Sequence, residues 1–389
     1  VAANLKGRLA RINKSRQAAH ESPAQGGEGA KRPKPAFLSG WEREDDFVWT
    51  RKLASDNPLP PSVDGAAFAP LRRKGSVHPP RLVEAGELRL FDLETTGLSG
   101  GTGTIAFLAS IGRIGEGGDF ELTQVFLEDY PGEKAFVAAV LGLLGEGATV
   151  VSYNGKAFDM PLLRTRCVMN GLEPPVLAHI DALFACRRLW KSVHGGASLG
   201  LLEVEVLGRD RGEDVPGSMI PEIWLAFAKS GAAPLMELVL SHNAQDVIGL
   251  AKLLSRVQAV FDDPLSLVAR SDIDRSGLGR SLLACGREAE GEELLEAAAG
   301  DGDERAALLL SSRYRRARRL EDCLRVEGLL GGSYRAAVER AKLHERWSGD
   351  LEAAARWAKE ALELAGSEAE KTSAMARLRR IQKKRGEAE

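Results

Sequence analysis

Asp92 and Glu94 close an apolar run that begins with Leu88 and Leu90, and all four share one face of an extended chain because strand side chains alternate with period two. Two ionised carboxylates on such a face repel one another and lose hydration, so the pair needs a proton or a cation. A divalent metal is the simplest remedy. Taken alone, Asp-x-Glu also describes a strand that has run out into solvent. The neighbours argue for a site. Thr95, Thr96 and Gly97 follow at once, and SGGTGT at 99–104 turns back tightly because glycine tolerates positive φ. No Gly-Lys-Ser/Thr closes this turn and a strand follows it, which excludes a phosphate loop of the NTPase kind.

Two further acids stand where a core would prefer apolar groups. Asp159 begins a helix after SYNGKAF, and Asp246 lies on the apolar stripe of a long helix. Each has a plainer reading: Asp159 complements its helix dipole, and Asp246 pairs with Lys252 or Arg256 on the surface. With Asp92 and Glu94 they form a set of hard oxygen ligands suited to Mg2+ or Mn2+ and poorly suited to zinc. His242 projects one turn before Asp246 from the same helix face. A neutral imidazole there, with an unperturbed pKa of about 6.5, suits a proton acceptor, and filling a polar gap under the helix is the alternative.

The elements that must hold these residues follow from periodicity. Strands are expected over 87–95, 104–114 and 120–129, then a helix over 133–144, a buried strand at 149–153 and a helix over 157–170. A short strand near 177–180 leads into a helix from Asp181 to Trp190, and a last helix runs over about 235–260 with Leu235, Leu238, Val239, Leu250, Leu253 and Leu254 as its stripe. Three strands, helix, strand, helix describe a layered α/β domain with a mixed sheet flanked by helices, resembling ribonuclease H. It is assigned residues 87–260. Before it, residues 36–86 carry Trp41, Phe47, Trp49, Phe68 and many prolines, and read as an irregular lead-in packed on the main domain.

The formal net charge of −2 is silent about partners, but residues 1–35 hold eight Lys/Arg against two Glu. They read as a basic disordered arm, solvated or tethering nucleic acid. Cys167, Cys186, Cys285 and Cys323 form no Cys-x-x-Cys pair, so they suggest reduced core thiols, neither a zinc site nor a disulfide framework. No apolar run approaches a membrane span and no signal-peptide core opens the chain, so no membrane partner and a cytoplasmic location are expected. The first residue is Val1, as in a processed or trimmed chain. Residues 262–389 turn to Ala, Leu, Glu and Arg with helical periodicity, and a spacing of 31 residues puts Leu295, Val326 and Trp357 in register. Helix-pair repeats of this size stack into solenoids. Within them RYRRARR at 313–319 offers phosphate contacts, with Tyr314 stacking a base, or a solvated helix face.

FDLETTG, YNGKAFD and HNAQD resemble the three motifs of the DEDD, or DnaQ-like, 3′ to 5′ exonucleases, which have a ribonuclease-H-like fold. DLETTGLSGGTGT, NGKAFDMPLL, HIDALFACRRLW, DVPGSMIP and SHNAQD, followed by TPR-like helices, resemble the bacterial YprB-like branch over residues 87–255, and more loosely over 262–365. The resemblance implies that Asp92, Glu94, Asp159 and Asp246 ligate two Mg2+ or Mn2+ ions, one generating hydroxide and the other stabilising the leaving 3′ oxygen. Single-stranded DNA or RNA is then the implied substrate, and the helical repeats a docking surface for a protein partner. Thr95, Thr96, Asn154, Lys156, Arg187 and Arg188 are the candidate substrate contacts. A turn explains Asn154 equally well, and a solvated helix face Arg187 and Arg188. Asp181 reads as a helix N-cap. One feature departs from the family pattern. The third motif has a His five residues before its Asp or a Tyr four before it, whereas His242 stands four before Asp246. This leaves the general-base role open. The reading from a different class is a non-catalytic scaffold that binds nucleic acid or protein, which would have no reason to keep mutually repelling carboxylates.

Overall fold

The computed structural model describes residues 35–69, 82–97, 103–231, 234–267 and 270–386, so the basic arm and most of the SGGTGT turn lie outside the described residues. The chain divides by its contacts into two units, one of residues 1–187 with 196–259, the other of 188–195 with 260–389.

In the first unit β1 (Glu42–Asp45), β2 (Val48–Ser55), β3 (Ser62–Asp64), a helical turn α1 (Gly65–Phe68) and β4 (Leu82–Glu84) precede β5 (Leu88–Thr95), β6 (Ala106–Ile114) and β7 (Phe120–Leu127). Then come α2 (Glu133–Leu144), β8 (Thr149–Ser152), α3 (Asp159–Met169), β9 (Ala178–Asp181), α4 (Ala182–His194), α5 (Leu199–Glu205), α6 (Ile220–Ser230) and α7 (Met236–Asp262). Among the described residues the strands form a mixed seven-stranded sheet of order β1-β2-β7-β6-β5-β8-β9, with β3 and β4 paired apart. Strands β5, β6 and β7 form an antiparallel meander, while β8 and β9 run parallel to β5. Parallel neighbours need a crossover, and α2 and α3 supply the two required here. The expected α/β architecture is present.

Among its described residues the lead-in is not irregular throughout. It contributes β1 and β2, and β2 pairs along its whole length with β7 from Val48↔Leu127 to Ser55↔Phe120. Its sequence, VWTRKLAS, buries only Val48 and Trp49, so the alternation that marks a strand is missing. That composition suits a strand near a sheet edge, where charged side chains deter pairing with another chain. The core beneath joins Phe91 and Leu93 to Phe136, Val137 and Val140 of α2, and Phe126 to Trp224 and Phe227 of α6. The buried indole N–H of Trp224 donates to the Leu127 carbonyl at 3.0 Å. All four cysteines are free thiols.

The second unit is helical: α8 (Arg275–Ala284), α9 (Glu288–Gly300), α10 (Glu304–Arg316), α11 (Leu320–Glu327), α12 (Tyr334–Leu343), α13 (Leu351–Glu363) and α14 (Glu368–Arg385). Helices α9, α11 and α13 begin 32 and 31 residues apart, the spacing seen in the sequence. Leu295 and Val326 are buried at corresponding places, and Trp357 packs half-buried on Ala354, Ala355 and Ala358. The 313–319 run does not form the stacking surface considered for it. Tyr314 is fully buried and donates to Glu296 Oε1 at 2.6 Å, with Arg319 lying 4.2 Å over its ring. Arg313 pairs with Glu288 and Glu292, Arg315 with Glu339, and Arg319 with Glu292 and Asp322. Stacked helix pairs turn such a run toward acids on the neighbouring helices. Among the described residues no helix is long and apolar enough to cross a membrane.

Gly112 tests the packing of β6 against α7. A Cβ there would lie 2.5 Å from the Phe120 ring and 2.8 Å from Val247. Gly112→Val is expected to lower the urea midpoint by an overpacking cost of about 1–3 kcal/mol. An unchanged midpoint would contradict this packing.

Candidate metal centre

Asp92 and Glu94 leave the same face of β5, as the pleat requires, with Cα partners Ser110 and Leu108 on β6. Asp159 opens α3 directly after β8, so the end of a parallel strand delivers it next to β5. Its arrival depends on a small residue: a Cβ on Gly155 would sit 2.7 Å from Asp159 Oδ2 and 2.4 Å from Ser152 Oγ. His242 and Asp246 lie one turn apart on α7, with His242 Nε2 3.6 Å from Asp246 Oδ2. Ligand atoms of Glu94, His242 and Asp246 all fall within 4.8 Å of one another. Asp92 and Asp159 are outside that tight group, yet both act electrostatically on it.

The strength of that coupling shows in the protonation of the acids. Burial first, then the charges of Asp246, Asp159 and Glu94, push the Asp92 carboxyl well above its ordinary range. Burial raises Glu94 to about 8 against the opposing pull of His242, with Asp246 and Asp159 adding to the rise. Asp159 is raised to about 7, chiefly by burial, although backbone N–H groups of Asp159 and Leu93 lower it and Asp181 and Asp246 raise it. His242 moves the other way to the same effect. Burial pulls its pKa down, but the Asp214 hydrogen bond and the charges of Asp246 and Glu94 outweigh this and hold it at about 9. Half-buried oxygen ligands that already repel one another are the donor set a hard divalent cation takes, so the residues fit Mg2+ or Mn2+.

The surrounding residues hold the site in shape. Asp181, fully buried, accepts from the backbone N–H of Leu183 at 3.1 Å, as a cap does, and also from those of Asn154 at 2.8 Å and Lys156 at 3.1 Å. Asn154 adopts a left-handed φ of 69°, which Asn tolerates better than most residues. Asn154 is thus a turn residue, and the backbone of Lys156 serves the same turn. Thr95 Oγ1 donates to the Gly97 carbonyl, and Thr96 Oγ1 accepts from Ile105 N, so both hydroxyls close the hairpin neck. The Arg187 side chain is exposed on α4. Arg188 is counted with the second unit, where its carbonyl packs against Gly277.

Several participants carry no signal strong enough to single out from sequence. Asp214 Oδ1 meets His242 Nδ1 at 2.7 Å, Arg211 reaches Asp246 Oδ1 at 2.5 Å, and buried Glu203 pairs with both Arg209 and Arg211. Asn243 Nδ2 donates to Asp92 Oδ2 at 2.7 Å. Asp214 lies in DVPGSMIP and Asn243 in HNAQD, so the motifs contained them without assigning them work.

The RNase H superfamily model matches residues 90–258. "Uncharacterized protein YprB" of Bacillus subtilis (strain 168) is 32% identical over 314 residues, covering 76% of this chain and 75% of YprB. Among solved structures, the family B DNA polymerase of the hyperthermophilic archaeon Pyrobaculum calidifontis aligns with 65% of this chain at 16% identity and a TM-score of 0.33. This chain spans 34% of that polymerase, and a likeness so distant carries no argument.

In the native chain Glu94 and Asp159 keep protons up to about 8 and about 7, whereas unfolded they lose them at 4.5 and 3.8. The native state therefore binds more protons through that window, and stability falls as pH rises across it. His242, native near 9 and unfolded near 6.5, has the same sign. A bound cation removes the excess protons, so Mn2+ should raise the Tm of chelator-treated protein more at pH about 8 than at pH about 6. Calorimetry in buffers of different ionisation enthalpy should record proton release on binding. Equal Tm shifts at both pH values would refute the protonation scheme.

Proposed function

The chain belongs to the same family as YprB and carries an RNase H superfamily domain, and from that membership we propose that it is a metal-dependent nuclease. The finer reading is a 3′ to 5′ exonuclease acting on single-stranded DNA or RNA. The observation that carries it is the convergence of Asp92, Glu94, Asp159 and Asp246 from three separate elements onto one mutually repelling cluster. A binding surface for nucleic acid has no use for four acids facing a polyanion without cations between them.

Two divalent ions held by these four carboxylates would supply acidified water and charge neutralisation at the phosphodiester. The tight Gly155 turn that delivers Asp159 would set that ligand before substrate arrives. His242, oriented through Nδ1 by Asp214, turns Nε2 toward Asp246. That nitrogen is placed to accept a proton from the attacking water. Held at about 9 by the Asp214 hydrogen bond and the charges of Asp246 and Glu94, against the opposing effect of burial, the ring is protonated at neutral pH, so the base role would require a cation among the carboxylates to lower it. The helix pairs of the second unit, at TPR-like spacing, serve in this reading as a protein-docking module.

End-labelled single- and double-stranded DNA and RNA, incubated with Mn2+, test the reading through product ladders. The parent should shorten single strands from the 3′ end. Asp92→Asn and Asp159→Asn should each lose at least about a hundredfold in turnover while melting no lower than the parent, because removing a repelling charge leaves the core intact. His242→Ala should lose turnover and the acidic limb of the pH-rate profile without losing Mn2+ affinity. A parent that neither binds Mn2+ in calorimetry nor cleaves any of the four substrates would favour the scaffold.

A further inference from the structure

Asp92 is the inner end of a polar row that crosses four strands. Arg51 on β2 has Gln124 on β7 as its Cα partner, Gln124 has Ser110 on β6, and Ser110 has Asp92 on β5, so all four side chains share one face of the sheet. Asn243 of α7 bridges the row from above. Arg51 Nε donates to Gln124 Oε1 at 2.7 Å, and Gln124 Nε2 donates to Ser110 Oγ at 3.0 Å, Leu240 O at 3.0 Å and Asn243 Oδ1 at 3.2 Å. Ser110 Oγ donates to Asn243 Oδ1 at 2.5 Å, and Asn243 Nδ2 donates to Asp92 Oδ2 at 2.7 Å.

Ser110, Gln124 and Asn243 are each 0% exposed. Buried amides and hydroxyls in the middle of a sheet cost desolvation that Val or Leu would avoid, and a fully satisfied network offsets it by fixing one geometry. The geometry here is unambiguous. Two donors occupy Asn243 Oδ1, so the amide nitrogen must face Asp92, and Arg51 holds the Gln124 amide in the matching sense. One oxygen of Asp92 is thereby held by a neutral donor, and the other is left for a cation.

We propose that Asn243 is the positioning residue for Asp92, and that Arg51, on a lead-in strand outside residues 90–258, anchors it through Gln124 so that cation affinity depends on β2. The inference rests on the metal reading of the site. Its partners are the kind that orient first ligands in metal proteins, where their loss weakens binding about 10- to 100-fold.

The test uses the full chain, with Mn2+ titrations by calorimetry and Tm measured alongside. Asn243→Leu should weaken Mn2+ binding about 10- to 100-fold. Gln124→Met and then Arg51→Met should weaken it by progressively smaller factors. Ser110→Ala should do least, because Gln124 still donates to Asn243. A purely structural network predicts lower Tm in these variants with Mn2+ affinity equal to the parent's, and that result at a temperature where each is folded overturns the proposal. Arg51→Met binding like the parent while Asn243→Leu fails removes β2 from it. Should Asn243→Leu not fold, Gln124→Met decides the question alone. A parent that binds no Mn2+ overturns the metal reading, and this proposal with it, which is a different outcome from tight binding unaffected by the variants.

Discussion

Repulsion among Asp92, Glu94, Asp159 and Asp246 is the constraint to which the rest of the first unit answers. Glu94, raised to about 8, and Asp159, raised to about 7, resist ionisation chiefly because they are buried, with neighbouring carboxylates adding to it. Folding must hold the four carboxylates together against their repulsion. The sheet does so by placing two of them on consecutive outward positions of β5, while the parallel β8 and the long α7 bring the others from sites distant in sequence. None of these placements is local, so the site exists only in the complete domain.

Holding like charges together requires that nothing near them yields. The turn after β8 has no room for a side chain at Gly155, and buried Asp181 accepts three backbone N–H groups that would otherwise be unpaired beside Asp159. Asp181 acts as the helix cap expected of it and as the peg of the SYNGKAF turn. Its charge also adds to the rise of Asp159. One carboxylate thus both shapes the turn that delivers Asp159 and raises its pKa.

The parts legible in the sequence were those with a local pattern. Alternation in LRLFDLET placed Asp92 and Glu94 on one face, helical spacing placed His242 beside Asp246, and α2 runs from Glu133 to Leu144 as its periodicity requires. What escaped were features decided by partners elsewhere. Strand β2 looked irregular because Arg51 and Lys52 interrupt it, and only its pairing with β7 makes it a strand. Asn243, sitting between His242 and Asp246 in sequence, had no periodic signal of its own, since its role comes from Ser110 and Gln124 more than a hundred positions earlier. RYRRARR invited a nucleic-acid reading because a sequence displays five arginines but not the glutamates that α9 and α12 turn toward three of them, Arg313, Arg315 and Arg319.

Charge counting around the site leads one step further. Glu203 and Asp214 add two acids to the four, while Arg209, Arg211 and His242 are the cations in contact with them. Were every group ionised, these six negative charges, with Asp181 beside Asp159 as a seventh, would face three positive ones. The shortfall is not spread evenly. Arg209, Arg211 and His242 are committed to Glu203, Asp214 and Asp246, whereas Asp92 accepts from the neutral amide of Asn243. The chain therefore concentrates its unmet negative charge at the β5 carboxylates and Asp159, and keeps its own cations on the α7 side. Protons can meet that deficit near neutral pH, as Glu94 raised to about 8 and Asp159 to about 7 indicate, but only by occupying the oxygens that would bind a metal. A divalent cation meets it with the oxygens still charged. Asp246 meets Arg211 and His242, whereas Asp92 accepts from a neutral amide, so in the proposed metal reading a cation would be needed most at Asp92.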